Sequence, residues 1–127
     1  MPYKVLWEED CVSLEWSGKI SYQENIEANG ILYGNKHFEN ISFIKSNILE
    51  ADLSGFNLKN ITVIGKLDKQ SAIWNKNLKA VHIATNKHTL ELISHWEKTM
   101  EGSGWEFKVF STIEAADKWI SEYRKSI

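Results

Sequence analysis

From Asn57 onward, the apolar positions follow a regular order: helical spacing, a short continuous run, helical spacing, alternation, helical spacing. The continuous run is Lys79-Ala80-Val81-His82-Ile83-Ala84-Thr85, set between two helix-like stretches. Its brevity and β-branched content predict a parallel strand covered on both faces, about which the chain is organised. The preceding helix opens at Asn57, a favourable N-cap, and runs to about Ile73. On a helical wheel Ile61, Ile64, Gly65, Leu67 and Ala72 share one arc, with Asp68 near its middle. Asn86 caps the following helix, from Lys87 to about Met100, with Leu92, Ile93, Trp96 and Met100 inward. Gly102-Ser103-Gly104 breaks the chain, and residues 105–110 alternate as a last strand with Trp105, Phe107 and Val109 on one face. Ser111-Thr112-Ile113-Glu114 has the form of a capping box. It opens a final helix that buries Ile113, Ala116, Trp119, Ile120 and Tyr123.

The first half reads as strand, strand, helix. Residues 3–7 and 11–17 are strands, the second alternating Val12, Leu14 and Trp16 with Ser13, Glu15 and Ser17. Glu8-Glu9-Asp10 is the hairpin connector, and Gly18 closes the pair. Ser21-Tyr22-Gln23-Glu24 is another capping box, opening a helix that runs to about Tyr33 and stops at Gly34. Its apolar positions Tyr22, Ile26 and Tyr33 recur at near-helical spacing. In the stretch 38–53, residues 41–47 are favoured as the third strand, with 48–53 an extension or an ordered loop. Residues 51–60 mimic two pentapeptide-repeat units, but two coils of a β-helix cannot bury a core. The alternation of helices and strands gives a layered α/β domain spanning residues 1–127.

Composition narrows the function. The chain has 127 residues, a hydrophobic fraction of 43%, a charged fraction of 25% and a net charge of −2. That balance offers no basic footprint for nucleic acid or an anionic membrane. No apolar run reaches the roughly 18 residues of a membrane span, and Met1-Pro2-Tyr3-Lys4 opens no signal peptide. Cys11 is the one cysteine, so no internal disulfide forms, and the cytoplasm is the expected location. No Gly-rich phosphate loop, nucleophile elbow or paired-cysteine signature is present, so no catalytic residue and no cofactor is expected.

Two groups of side chains carry candidate chemistry. Asp68 lies on an apolar arc, where a carboxylate needs a partner or takes up a proton. His82 shares a strand face with Ala80 and Ala84 and can face that helix, so the two are expected to meet as a buried pair or line a ligand pocket. His88, Glu91 and His95 recur at i, i+3 and i+7. Zinc-binding helices usually place histidines at i and i+4, so this face is read as solvated, with no metal site. Cys11 is expected to be an inert, half-buried thiol.

Three stretches carry a family resemblance: Ala28-Asn29 with Leu32-Tyr33-Gly34 and Phe38; Leu67-Asp68-Lys69 with Trp74-Asn75-Lys76-Asn77-Leu78-Lys79; and Val109-Phe110-Ser111 with Glu114-Ala115-Ala116 and Trp119-Ile120. Together they resemble the STAS domain superfamily (sulphate transporter and anti-sigma antagonist), in its SpoIIAA-like or STAS/SEC14-like branch. The resemblance implies a single-layer mixed sheet of four to five strands, with about four helices mainly on one face. It further implies a regulatory or binding module acting on a protein partner, and homodimerisation stays open. The family's phosphorylated serine would fall on Ile61, which has no hydroxyl, so that switch is not expected here; Thr62 lacks the matching aspartate. By family analogy, ligands or partners approach residues 48–62. The surface is then Asp52, Ser54, Asn57, Asn60 and Thr62, adjoining Asp68 and His82. The alternative function is a carrier or sensor of a small apolar molecule, such as a lipid, with its pocket at Asp68 and His82.

Overall fold

The computed structural model describes residues 3–126; Met1-Pro2, which entered the reading of the N-terminus, and Ile127 lie outside them. The elements are β1 (Tyr3–Trp7), β2 (Cys11–Lys19), α1 (Tyr22–Tyr33), a 3-10 turn (Lys36–Asn40), β3 (Phe43–Asp52), α2 (Leu58–Ser71), β4 (Lys79–Ile83), α3 (Lys87–Thr99), β5 (Glu106–Phe110) and α4 (Ile113–Ser126). They form an α/β fold with one five-stranded mixed sheet, ordered β1-β2-β3-β4-β5. Only β1 runs antiparallel to its neighbour; the other three pairings are parallel.

That topology follows from the connections. Three acidic residues suffice to turn β1 into β2, whereas each later parallel pairing needs a crossover. The crossovers contain α1, α2 and α3, and their apolar faces meet the same side of the sheet, over Val12, Leu14, Trp16, Ile44 and Ala80. The remaining helix, α4, follows the last strand and covers the opposite side. There Ala116 and Ile120 meet Cys11, Phe43, Val81 and Ile83. Arg124 on α4 holds Asp10 in the β1–β2 connector at 2.8 and 2.6 Å, and Lys45 on β3 reaches Asp117 at 2.9 Å. Asn75 donates at 2.8 Å to the carbonyls of Phe38 and Ile41 and accepts from the Trp105 indole at 2.8 Å, tying the turn before β3 to the entrance of β5. Gly104 enables that approach. Its φ is +91°, and a Cβ there would lie 2.8 Å from the Lys76 carbonyl.

Several local expectations shift. The strand Lys79–Ile83 is parallel and covered on both faces as expected, but β3 occupies the middle of the sheet. The third strand takes in residues of both candidate halves, because β2 continues past a register shift at Glu15/Ser17 and pairs Ser17, Gly18 and Lys19 with Glu50, Ala51 and Asp52. Gly18 therefore does not close the hairpin; it continues β2 at φ +71°. On α2 the inward line is Ile61, Ile64, Gly65, Asp68 and Ser71, while Leu67 is 42% exposed. The final helix begins one residue later than a Ser111 capping box would place it, because the Thr112 hydroxyl oxygen accepts from the Ala115 amide at 3.1 Å. Ile113 then falls in the first turn and is partly exposed instead of buried. Val109 is also exposed, since it lies on an edge strand.

Candidate functional site

Asp68 is drawn into the interior by donors from two other helices. On α1, Asn25, Asn29 and Tyr33 are spaced four residues apart and form one stripe. The Asn29 amide donates to Asp68 Oδ1 at 3.1 Å, and the Tyr33 hydroxyl donates to the same oxygen. From α3 the Trp96 indole N–H donates to Oδ2 at 2.7 Å. The carboxyl group is thus the knot at which α1, α2 and α3 meet. Burial pushes its pKa up to about 6, although the Tyr33 and Trp96 hydrogen bonds pull the other way. Burial, reinforced by the neighbouring Asp68 charge, raises Tyr33 well above the usual phenol value.

His82 does not contact Asp68, contrary to the expected pair. Trp96 belongs to both environments: its N–H is on Asp68, and its ring meets the His82 ring edge-on, 5.1 Å between centroids. The physical reason is competition. Asn29, Tyr33 and Trp96 already supply Asp68 with three donors, so it has no need of an imidazole. Among the described residues, the buried Nδ1 of His82 has no hydrogen-bond partner. Burial lowers the imidazole pKa to about 4, which keeps it neutral near pH 7.

His82 is half-buried and lines a chamber that is partly open to the surface. This chamber, about 110 Å³, lies between β2–β4 and the three helices. Its walls include Leu14, Trp16, Leu32, Ile44, Ala80, Trp96 and Trp105, and its polar positions are Asn25, Asn29, Tyr33, Ser46 and His82. An adjoining lobe of about 100 Å³, bounded by Phe56, Ile61 and Leu92, shares His82, Trp96 and Asn25 with it. Asp68 is not a wall residue of either lobe; it braces Tyr33 and Trp96, which are walls of the first. Ser46 and His82 are register partners on adjacent parallel strands, so their side chains project from the same sheet face.

The residues expected at the surface of 48–62 largely serve local structure. Asp52 accepts from the Ser54 amide at 2.9 Å, and Asn57 and Asn60 cap each other at 2.8 and 3.1 Å. The Thr62 hydroxyl donates to the Leu58 carbonyl and lies 2.8 Å from His95 Nε2. His88 Nε2 lies 3.2 Å from the Phe56 carbonyl. Both histidines thus engage α2 or the loop before it. Among the described residues no three His, Cys, Asp or Glu side chains cluster to hold a metal. An open groove of about 550 Å³ runs between Phe56, Asn57 and Leu58 and the His88, Glu91, His95 and Lys98 face of α3. Cys11 is buried against α4, and burial raises its thiol pKa. No helix among the described residues is long and apolar enough to cross a membrane.

Asn25, Asn29, Trp96 and Ser46 are polar participants that the sequence did not single out. The four-residue spacing of Asn25, Asn29 and Tyr33 was the available signal for three of the chamber's polar walls. Ser46 gave none, being one serine in an apolar strand. Compared with known proteins, the chain matches no protein-family model and no curated protein.

Proposed function

We propose that this chain is a non-catalytic, cytoplasmic binding module of STAS/SpoIIAA-like type whose working part is the interior chamber, so that it senses or carries a small molecule. The observation that carries this reading is the chamber itself: free volume beside a neutral histidine whose buried Nδ1 has no hydrogen-bond partner among the described residues. A binding role fits better than catalysis. Ser46 and His82 are neighbours, but the acid that would orient the imidazole is bound instead to Asn29, Tyr33 and Trp96.

A second reading, docking of a protein partner at residues 48–62, is favoured by the open groove beside Asn57 and by exposed Leu58 and Val63 on α2. Native mass spectrometry of protein purified from its own host separates the two. A small molecule released on unfolding is the expected result. A clean apo mass accompanied by a dimer or a second polypeptide would move the function to the groove.

A further inference from the structure

The chamber's chemistry limits what it can hold, and the limit rests on the binding reading above. One end is polar: His82 and Ser46 sit side by side on the sheet and both line the chamber, and the buried Nδ1 of His82 has no hydrogen-bond partner among the described residues. Apart from Asn25, Asn29 and Tyr33 on the α1 side, the remaining wall is apolar and aromatic, with Leu14, Ile44, Ile64 and the rings of Trp16, Trp96 and Trp105.

Charge is disfavoured in either sign. An anion would enter next to the Asp68 carboxylate, which lies just behind Tyr33 and Trp96. A cation would find no carboxylate on the chamber wall, since Asp68 faces its three donors and not the cavity. An unpaired ion in such a site loses its hydration without replacement. Size sets the last bound. Drug-sized ligands occupy roughly 300–1,000 Å³, whereas an apolar cavity of about 150 Å³ holds benzene. Lobes of about 110 and 100 Å³ are each of the size of a single ring.

We propose that the chamber takes one compact, uncharged, ring-sized molecule with a single hydroxyl or N–H group, hydrogen-bonded at the His82–Ser46 end and flanked by the tryptophans. A hydroxyl suits the pair because it donates to one neutral group and accepts from the other, whichever tautomer His82 adopts.

The test is a chemical-shift titration of the full-length ¹⁵N-labelled protein with phenol, indole, toluene, benzoate, benzylamine and laurate. Phenol or indole should shift β3 and β4 amides saturably, about tenfold more tightly than toluene, the increment of one net hydrogen bond. Benzoate, benzylamine and laurate should leave those amides unmoved. In His82→Phe the advantage of phenol over toluene should disappear; if that variant does not fold, Ser46→Ala provides the same comparison, with a reduced advantage expected. Equal binding of toluene and phenol, or tighter binding of a charged probe or laurate, overturns the ligand class while leaving the chamber as the binding site. If no probe, toluene included, moves the chamber amides, the ligand class and the chamber reading fall together.

Discussion

The two faces of the sheet are built from the same strands and solve opposite problems. In β4, Val81 and Ile83 point toward α4 and are fully buried, while the alternate positions Ala80 and His82 point toward α1–α3 and line the chamber. On the α4 face, Phe43 is enclosed by Trp119 and Tyr123 at 6.2 and 5.7 Å between centroids, with its ring edge-on to both. On the other face three helices converge on one carboxyl group and leave space between it and the sheet. A single helix settles into whatever geometry best fills its contact with the sheet. Three helices tied through Asn29, Tyr33, Asp68 and Trp96 cannot each settle independently, and the space they leave is held open by hydrogen bonds. One face stores stability, and the other holds a shape.

The largest effect expected from that contrast lies on the packed face. Phe43→Ala removes a fully buried ring and leaves a void between Trp119 and Tyr123, which should cost about 3–5 kcal/mol in urea unfolding. A cost below about 1 kcal/mol would mean that α4 is loosely attached and that the two faces do not differ as described.

Next in size is a pH signature confined to the chamber side. Folded Asp68 keeps its proton up to about pH 6, whereas an ordinary aspartic acid loses it near 3.8. Its contribution to stability is therefore complete in acid and is lost as pH rises through about 6. Folded His82 refuses a proton down to about pH 4, against an ordinary 6.5, so its contribution is complete above 6.5 and is lost as pH falls toward 4. The two slopes nearly cancel in the parent protein, and removing either residue should expose the other. Between pH 6.5 and 4, His82→Phe should gain about 3 kcal/mol relative to the parent, and Asp68→Asn should lose about 3 kcal/mol relative to it. Urea unfolding at several pH values reads both slopes. Variants that keep the parent's slope would show that neither group is held as the chamber requires.

These contrasts also explain how much was legible from sequence. The order of elements, three of the four helix starts and the N-terminal hairpin follow from local signals: Ser21, Asn57 and Asn86 cap in place, and Val12, Leu14 and Trp16 alternate into the core. The extent of β3 did not follow, because its last residues are strand only through their pairing with Ser17, Gly18 and Lys19, a long-range event. Asp68 could be picked out as an anomaly on an apolar arc. Its partners could not, since Asn29 and Trp96 are 39 and 28 residues away and the choice among them and His82 is made by tertiary competition. Leu67, expected on the same arc as Asp68, lies outside for the same reason: three donors make the interior the better solvent for the carboxyl group, and the leucine next to it is left exposed.

The smallest effect is the most discriminating between faces. Ser46 is buried on the chamber side of β3, so Ser46→Val places two methyl groups where free volume already exists in exchange for one hydroxyl. On the packed face the equivalent enlargement, Cys11→Ile, has no space to enter, because Cys11 lies within the closed cluster of Phe43, Val81 and Ile83. Overpacking of that kind typically costs about 1–3 kcal/mol, while Ser46→Val should fall within about 0.5 kcal/mol of the parent. Equilibrium unfolding of the two variants side by side measures the difference directly. Equal penalties would mean that the chamber closes in solution and that β3 and β4 present two packed faces; a penalty at Cys11 alone locates the protein's free volume beside His82.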